Sequence, residues 1–402
     1  MRKVPRGFVA VVAVVALFGL AAVSAGSVAT DTQSQSTIAT DQNSTNYLSP
    51  LAPAGEEYER VTMDASTAAA AAAQEIHNAH DAGTFERQLQ SASEDRRSAV
   101  AQRQLEAVRD RLERLDRRQA ELFAAYGSGE ISTQALLREL IALETAVDAQ
   151  TELRTRAEST ANPSTALRVE LETLEDVLSV DRPVIERLQG TLVGGDAPQT
   201  AYLQHADNAL VLALVDGDDY YRQATLLDQR DPDGSDQFGD DLSPGGYSEA
   251  QQRLEALYPW AYNLPDLQIG GGDLSVYSRI YQLGLDHPQG ELTAYLDGAT
   301  KDVFHENQRL RLDTLPIERT VANSTESGSV TVETTRSTGA MRVTAEDAGG
   351  SAVERDVRIG EQVVGTTNEE GRLWTVQPAA EFELSVTMPD GGNVTVDWEP
   401  EG

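Results

Sequence analysis

The sequence of 402 residues contains no cysteine. That absence excludes disulfides, zinc–thiolate sites, iron–sulfur clusters, a thiol nucleophile and a lipidated N-terminal cysteine. Positive charge is scarce as well. Against 65 Asp plus Glu stand 32 Lys plus Arg, and only Lys3 and Lys301 among these are lysine. A formal charge of −33 argues against DNA, RNA or an anionic bilayer as a direct partner, because phosphate binding runs on clustered Lys and Arg. The sequence also lacks a Gly-x-Ser-x-Gly elbow, a His-Glu-x-x-His pair and a Gly-rich lead to Lys301, so the corresponding hydrolase, zincin and phosphate-loop chemistries have no motif here. After one N-terminal apolar run no second long one follows.

The acidic residues are spread over almost every later segment rather than gathered in a tail. A tail would read as an interaction arm; an even excess reads as solubility adaptation, with carboxylates holding water and cations in brine. At molar salt the Debye length is about 3 Å, so such self-repulsion is screened. In composition the chain resembles proteins of halophilic archaea, and diluting salt is expected to loosen its fold.

Arg2, Lys3 and Arg6 precede the apolar run Phe8 to Val23, and Val23-Ser24-Ala25 offers cleavage after Ala25. Residues 1–26 are therefore expected to be a signal peptide or an uncleaved signal-anchor, with the protein exported to the cell surface or beyond and touching the membrane only through this segment. Glycosylation sequons at Asn43, Asn323 and Asn393 fit that location. Residues 27–57, rich in Ser, Thr, Gln, Asn and Asp up to about Pro53, read as a disordered linker.

Residues 58–190 read as a coiled-coil-like helical hairpin or bundle. An alanine run follows caps at Asp64 and Ser66, and Gly83-Thr84 is expected to break or bend that first helix. Leu105, Val108, Leu112, Leu115, Leu122 and Tyr126 fall at heptad spacing with Gln119 as the polar seam position, flanked by Arg, Glu and Asp. Gly127-Ser128-Gly129 turns the chain, Ser132 caps the next helix, Leu136, Leu140, Leu143 and Val147 continue the seam, and Pro183 opens a short last helix. Such a seam is either plain core or a surface for homo-oligomerisation or a partner helix.

Residues 191–320 alternate strands and helices and predict an antiparallel α+β domain. Strands are expected at 201–205, 209–215, 274–285, 291–296 and 303–312, and one helix at 247–262, with Asp216, Asp218 and Asp219 in a strand-end turn. After a linker or first strand at 321–338, residues 339–402 show short strands between Gly-rich turns, an Ig-like β-sandwich pattern. On Leu210 to Gly217 with Tyr220-Tyr221, and on Asp286 to Leu296, the chain resembles exported haloarchaeal families of unknown function. Gly365-Thr366-Thr367-Asn368 through Gly371 resembles the turn of carboxypeptidase-regulatory, transthyretin-like domains, which implies a folding, spacing or adhesive accessory without chemistry of its own. Overall the fold class is a multidomain α+β protein.

Asp231-Pro232-Asp233-Gly234-Ser235-Asp236 is the most ligand-like cluster, since alternating carboxylates suit calcium, the only cofactor the sequence brings to mind. Its glycine sits off the EF-hand position, where Asp236 falls, and Leu242 stands where a bidentate Glu belongs. Of five histidines only His77 and His80 share a helix face, and two ligands do not complete a metal site. The expectation is a non-catalytic exported surface protein with a structural, scaffolding or partner-binding role toward an unidentified protein or envelope component. The alternatives are an extracellular hydrolase or ligand-binding protein with an acidic site in the central domain, since any two of 65 acids can meet in a cleft, and a membrane-tethered sensor subunit.

Overall fold

The computed structural model describes residues 47–238, 244–271, 279–336 and 338–399. The leader with Ala25, the sequon at Asn43, and Asp240, Asp241 and Leu242 lie outside them, as does 274–278 of the expected 274–285 strand.

Five helices build the N-terminal part: α1 (Ala65–Ser91), α2 (Glu94–Gly127), α3 (Thr133–Glu158), α4 (Thr165–Leu178) and α5 (Pro183–Gln189). Asp64, Ser132 and Pro183 start their helices as expected, and Ser164 is a further cap. Asp64 accepts from the Ser66 amide at 2.9 Å, Ser132 from Ala135 and Ser164 from Leu167, each at 3.3 Å, and Pro183 occupies the first turn of α5. Gly83-Thr84 does not break α1; the interruption comes at Ala92-Ser93. One glycine costs a long helix only about 1 kcal/mol, while Ser93, with Glu94 and Asp95 behind it, is a better place to restart. The heptad residues Leu105, Val108 and Leu112 have no exposed surface and belong to one core with Leu136, Leu140, Leu143, Val147, Leu167 and Leu171. The seam of α2 is thus covered by this chain's own α3 and α4. A second copy docking along it would have to displace them.

Eight strands form one antiparallel sheet in the order β1-β2-β3-β4-β8-β7-β6-β5. They are β1 (Gly55–Val61), β2 (Gln199–Ala206), β3 (Ala209–Asp216), β4 (Asp219–Leu226), β5 (Gln268–Gly271), β6 (Ile280–His287), β7 (Gly290–Asp297) and β8 (Val303–Arg311). β3 explains the layering. Leu210, Leu212 and Leu214 pack into the helical core, whereas Val211 and Ala213 face the opposite side. Both faces are covered, so the strand reads as an unbroken apolar run. The second face is shared by α6 (Pro244–Leu257) with α7 (Pro259–Tyr262) and by the C-terminal strands. The single expected helix over 247–262 is split because Pro259 pushes Tyr258 out of helical geometry, to φ −124° and ψ 54°.

Two further differences concern boundaries. Tyr47 and Leu48, inside the expected linker, are 4% and 2% exposed, and β1 supplies an edge strand to the central sheet. Gly-Glu-Glu-Tyr-Glu-Arg-Val shows little apolar signal because only Tyr58 and Val61 of it are buried. Asp219 and Tyr220-Tyr221 begin β4.

Eight strands make the C-terminal sandwich: β9 (Arg319–Thr325), β10 (Gly328–Thr334), β11 (Ala340–Asp347), β12 (Asp356–Ile359), β13 (Gln362–Thr366), β14 (Arg372–Val376), β15 (Phe382–Thr387) and β16 (Asn393–Trp398). They form two four-stranded sheets ordered β14-β11-β10-β9 and β13-β12-β15-β16. The stretch 321–338, read as a linker or a first strand, holds most of β9 and all of β10, which begin the sandwich, with Val330 and Val332 fully buried. In the polar turn, Asn368 Oδ1 accepts from the amides of Glu370 and Arg372 at 3.0 and 2.9 Å. Gly371 closes it with φ 71°, where a Cβ would meet the Ala345 carbonyl at 2.5 Å.

Candidate functional site

The acidic loop sits between β4 and α6, and its carboxylates bond to the loop itself. Asp231 Oδ1 accepts from the amides of Asp233 (3.1 Å) and Gly234 (2.9 Å). Asp236 accepts from the Phe238 amide (2.9 Å) and the Tyr281 hydroxyl (2.6 Å). Arg279 donates to the carbonyls of Pro232 and Gly234. This is Asx-turn chemistry that fastens the loop to the start of β6. Among the described residues no three His, Asp or Glu side chains are gathered to hold a cation, and Asp231, Asp233, Ser235 and Asp236 form no such group.

The histidines are dispersed. His77 and His80 are exposed on α1, with His80 3.6 Å from Asp81. His205 lies edge-on to the Tyr126 ring, and His287 edge-on to Trp260, where burial depresses its pKa to about 4. Asn323 lies in β9 and Asn393 opens β16, both exposed.

Two constellations join residues that are distant in sequence. The first is entirely buried. Arg222 of β4 and Glu306 of β8 have no exposed side-chain surface and meet at 3.2 Å. Glu306 Oε2 also accepts from the Leu48 amide (2.9 Å) and the Tyr258 hydroxyl (2.6 Å), while Arg222 donates to Ser49 Oγ (2.9 Å) and lies 5.0 Å from the Tyr47 ring centre. Desolvation raises the Glu306 pKa, and Arg222, Tyr258 and Leu48 oppose that rise. These contacts meet both Glu306 oxygens and both terminal nitrogens of Arg222, leaving Arg222 Nε without a partner among the described residues, and a buried charge pair depends on such compensation. The pair pins segment 47–49 and α7 to the middle of the sheet.

The second constellation is an open groove of about 320 Å³ where the entrance to α5 crosses the helical face of β4, β8 and β7. Its floor holds Tyr221, Thr293, Asn307 and Arg309, and its wall Asp181, Glu186 and Arg187. Arg187 lies 3.4 Å from the centre of the Tyr221 ring, a cation–π contact, and Arg309 donates twice to Asp219 Oδ2. Behind the groove, the Asp181 carbonyl accepts from Asn307 Nδ2 (2.7 Å) and from His305 Nε2 (3.0 Å). Since a carbonyl only accepts, His305 carries its proton on Nε2 and takes the Thr225 hydroxyl at Nδ1, 2.8 Å away. Burial and then Arg182 push its pKa down to about 3, so it is neutral at physiological pH. Arg182 is itself buried beside Glu144, whose carboxyl is pushed up to about 7 by burial against the pull of that guanidinium. The groove offers amide, hydroxyl, guanidinium and carboxylate groups to a polar ligand, while His305 is committed to holding the loop.

Three family models match in succession. Residues 1–197 match a domain of unknown function (DUF7096), residues 201–316 a family of unknown function (DUF7094), and residues 319–396 an archaeal fibronectin-III type-like domain. This is an archaeal protein with a C-terminal β-sandwich. A search of curated proteins returned no match. The last matched span begins at β9 and so takes in both β9 and β10, where the sequence pattern offers a linker or a first strand.

Neither constellation is legible in sequence. Arg222 and Glu306 are 84 positions apart, and the groove joins four elements. The one signal was local: His305-Glu306-Asn307-Gln308, a polar run inside a strand with apolar flanks, marks a strand whose neighbours satisfy it.

Proposed function

We propose that the chain is a non-catalytic surface protein exported by a halophile, serving as a stiff scaffold that presents its sandwich and helical faces to a protein or envelope component. The carrying observation is how firmly β1 ties the sandwich to the central sheet. Glu56 Oε2 accepts from the Ala379 amide (2.8 Å) and the Tyr202 hydroxyl (2.6 Å), and the Tyr58 hydroxyl donates to the Val376 carbonyl (2.6 Å). Tyr220 donates to the Thr338 carbonyl, and Tyr58, Tyr202, Tyr220 and Leu310 share one core with the sandwich. A joint made of buried tyrosines and satisfied carboxylates suits load-bearing or display more than domain closure.

The evenly spread charge of −33 supports brine as the working medium, and the basic n-region with its apolar run supports export. The transthyretin-like resemblance of the Gly365–Gly371 turn is a finer description of the same module and fits a spacing or adhesive role. Treating intact cells with a membrane-impermeant protease, followed by cross-linking and N-terminal sequencing, tests this. The expected result is surface-accessible protein that begins after Ala25 or remains membrane-anchored, and that cross-links to envelope components. Protein shielded inside the cell with Met1 intact refutes it. A second reading, an extracellular hydrolase or ligand-binding protein, is favoured by the polar groove at Asp181, Glu186 and Arg187; ligand-dependent protection of that groove from chemical footprinting would promote it.

A further inference from the structure

The two sequons in the sandwich lie on neighbouring edge strands. Among the described residues β9 pairs only with β10, β16 pairs only with β15, and β9 lies against β16. Their side chains are nevertheless aimed differently. Along β16, Val394 and Val396 are buried, so the two-residue period of a strand puts Asn393 and the sequon hydroxyl of Thr395 together on the outward face. Asn393 Oδ1 accepts from the Thr387 hydroxyl across the strand pair at 2.7 Å, which fixes the amide plane, and among the described residues its Nδ2 has no hydrogen-bond partner. Along β9, Val321 packs on the sandwich core, and Asn323 follows on the same side. Its Nδ2 donates to the Thr395 carbonyl at 2.7 Å and its Oδ1 accepts from the Ser324 amide at 2.9 Å, so the side chain clasps the open edge of one sheet to the other.

We propose that Asn393 is the N-glycosylation site of the sandwich and that Asn323 is left unmodified as a structural clasp. The inference rests on the export reading. In the reaction, Asn393 Nδ2 attacks C1 of a glycosyl donor activated by a phosphate leaving group. The C1–N bond forms as the C1–O(phosphate) bond breaks, one amide proton is lost, and the phosphate departs with its electron pair and takes up a proton. Nδ2 keeps one hydrogen. A glycan there would stand over the outward face of β16 and shield a strand that, among the described residues, has no β partner on its other side.

The test is mass spectrometry of tryptic peptides from protein purified from archaeal cells, with the N-terminal peptide read in the same run. Cleavage at arginine separates residues 320–336, carrying Asn323, from residues 373–402, carrying Asn393. The expected result is hexose-containing mass on the second peptide and none on the first. Thr395→Ser keeps that mass, Thr395→Ala and Asn393→Gln lose it, and Asn323→Gln leaves it in place while lowering the melting temperature. Protein that lacks its leader and carries a bare Asn393, or any glycan on Asn323, overturns the proposal while leaving export standing. A bare protein retained in the cell with Met1 intact overturns both.

Discussion

Replacing Arg222 with methionine is the most informative perturbation of the buried core. The guanidinium and the Glu306 carboxylate are 3.2 Å apart with no exposed surface. At an effective dielectric of about 20 their attraction is roughly 5 kcal/mol, and desolvation of both ions offsets most of it. Arg222→Met strands Glu306 among the Leu48 amide and Tyr258 hydroxyl, and breaking such a pair costs about 3–5 kcal/mol. Burial already raises the Glu306 pKa and Arg222 opposes this, so the variant raises it further. A carboxyl whose folded pKa lies above its unfolded value contributes stability below the unfolded pKa and loses it as pH rises. The deficit of Arg222→Met is therefore expected to be small in acid and full at neutral pH. Adding Glu306→Gln should recover most of it, because the Gln carbonyl still accepts from Leu48 and Tyr258 without a charge to desolvate. Denaturation at fixed high salt, followed by tryptophan fluorescence across pH, gives the double-mutant cycle. Refutation would be a neutral-pH loss for Arg222→Met under about 1 kcal/mol, or a double variant as unstable as the sum of the two single ones.

Further outcomes are expected. Tyr58→Phe orphans the buried Val376 carbonyl and should cost about 1–3 kcal/mol, read as a lower urea midpoint with sandwich and sheet unfolding less cooperatively. Glu144, with a pKa near 7 in the folded state, should make the protein lose stability as pH rises from about 5 to 8. Glu144→Gln should flatten that slope, by about 1–2 kcal/mol after allowance for partial exposure, and an unchanged pH profile would contradict the assignment. Diluting NaCl from molar to millimolar should lower the thermal midpoint, because screening of the −33 charge is withdrawn; salt-independent melting would count against the brine reading.

The fold is legible in the sequence where a single side chain or backbone angle decides an outcome. Asp64 and Ser132 are caps because a short oxygen-bearing side chain reaches the orphan amides of the first turn; Ser164 does the same for α4 and is not among the expected caps. The β3 run is legible from its continuous apolarity. The losses came where tertiary neighbours supply what a segment lacks. β1 shows only Tyr58 and Val61 as apolar cues, β9 exposes nearly its whole length, and β4 and β8 bury Arg222, Gln223, His305, Glu306 and Asn307. Polar residues inside a sheet covered on both faces are stable only through partners far away in the chain, and local pattern cannot register them. The same holds for the groove, whose parts come from α5, β4, β7 and β8.

Because β1 precedes the helices and pairs with β2 after them, the whole bundle is an insertion between two neighbouring strands. A fragment cut near residue 198 would leave β2 with an open row of amides and carbonyls on one side, and β1 with nothing to join on the other. During synthesis β1 must wait unpaired until α1 to α5 collapse and bring Gln199 back to Val61. Loop-closure entropy grows only about 0.6 kcal/mol per doubling of length, so the speed of helical collapse, rather than the number of intervening residues, sets when β1 joins the sheet.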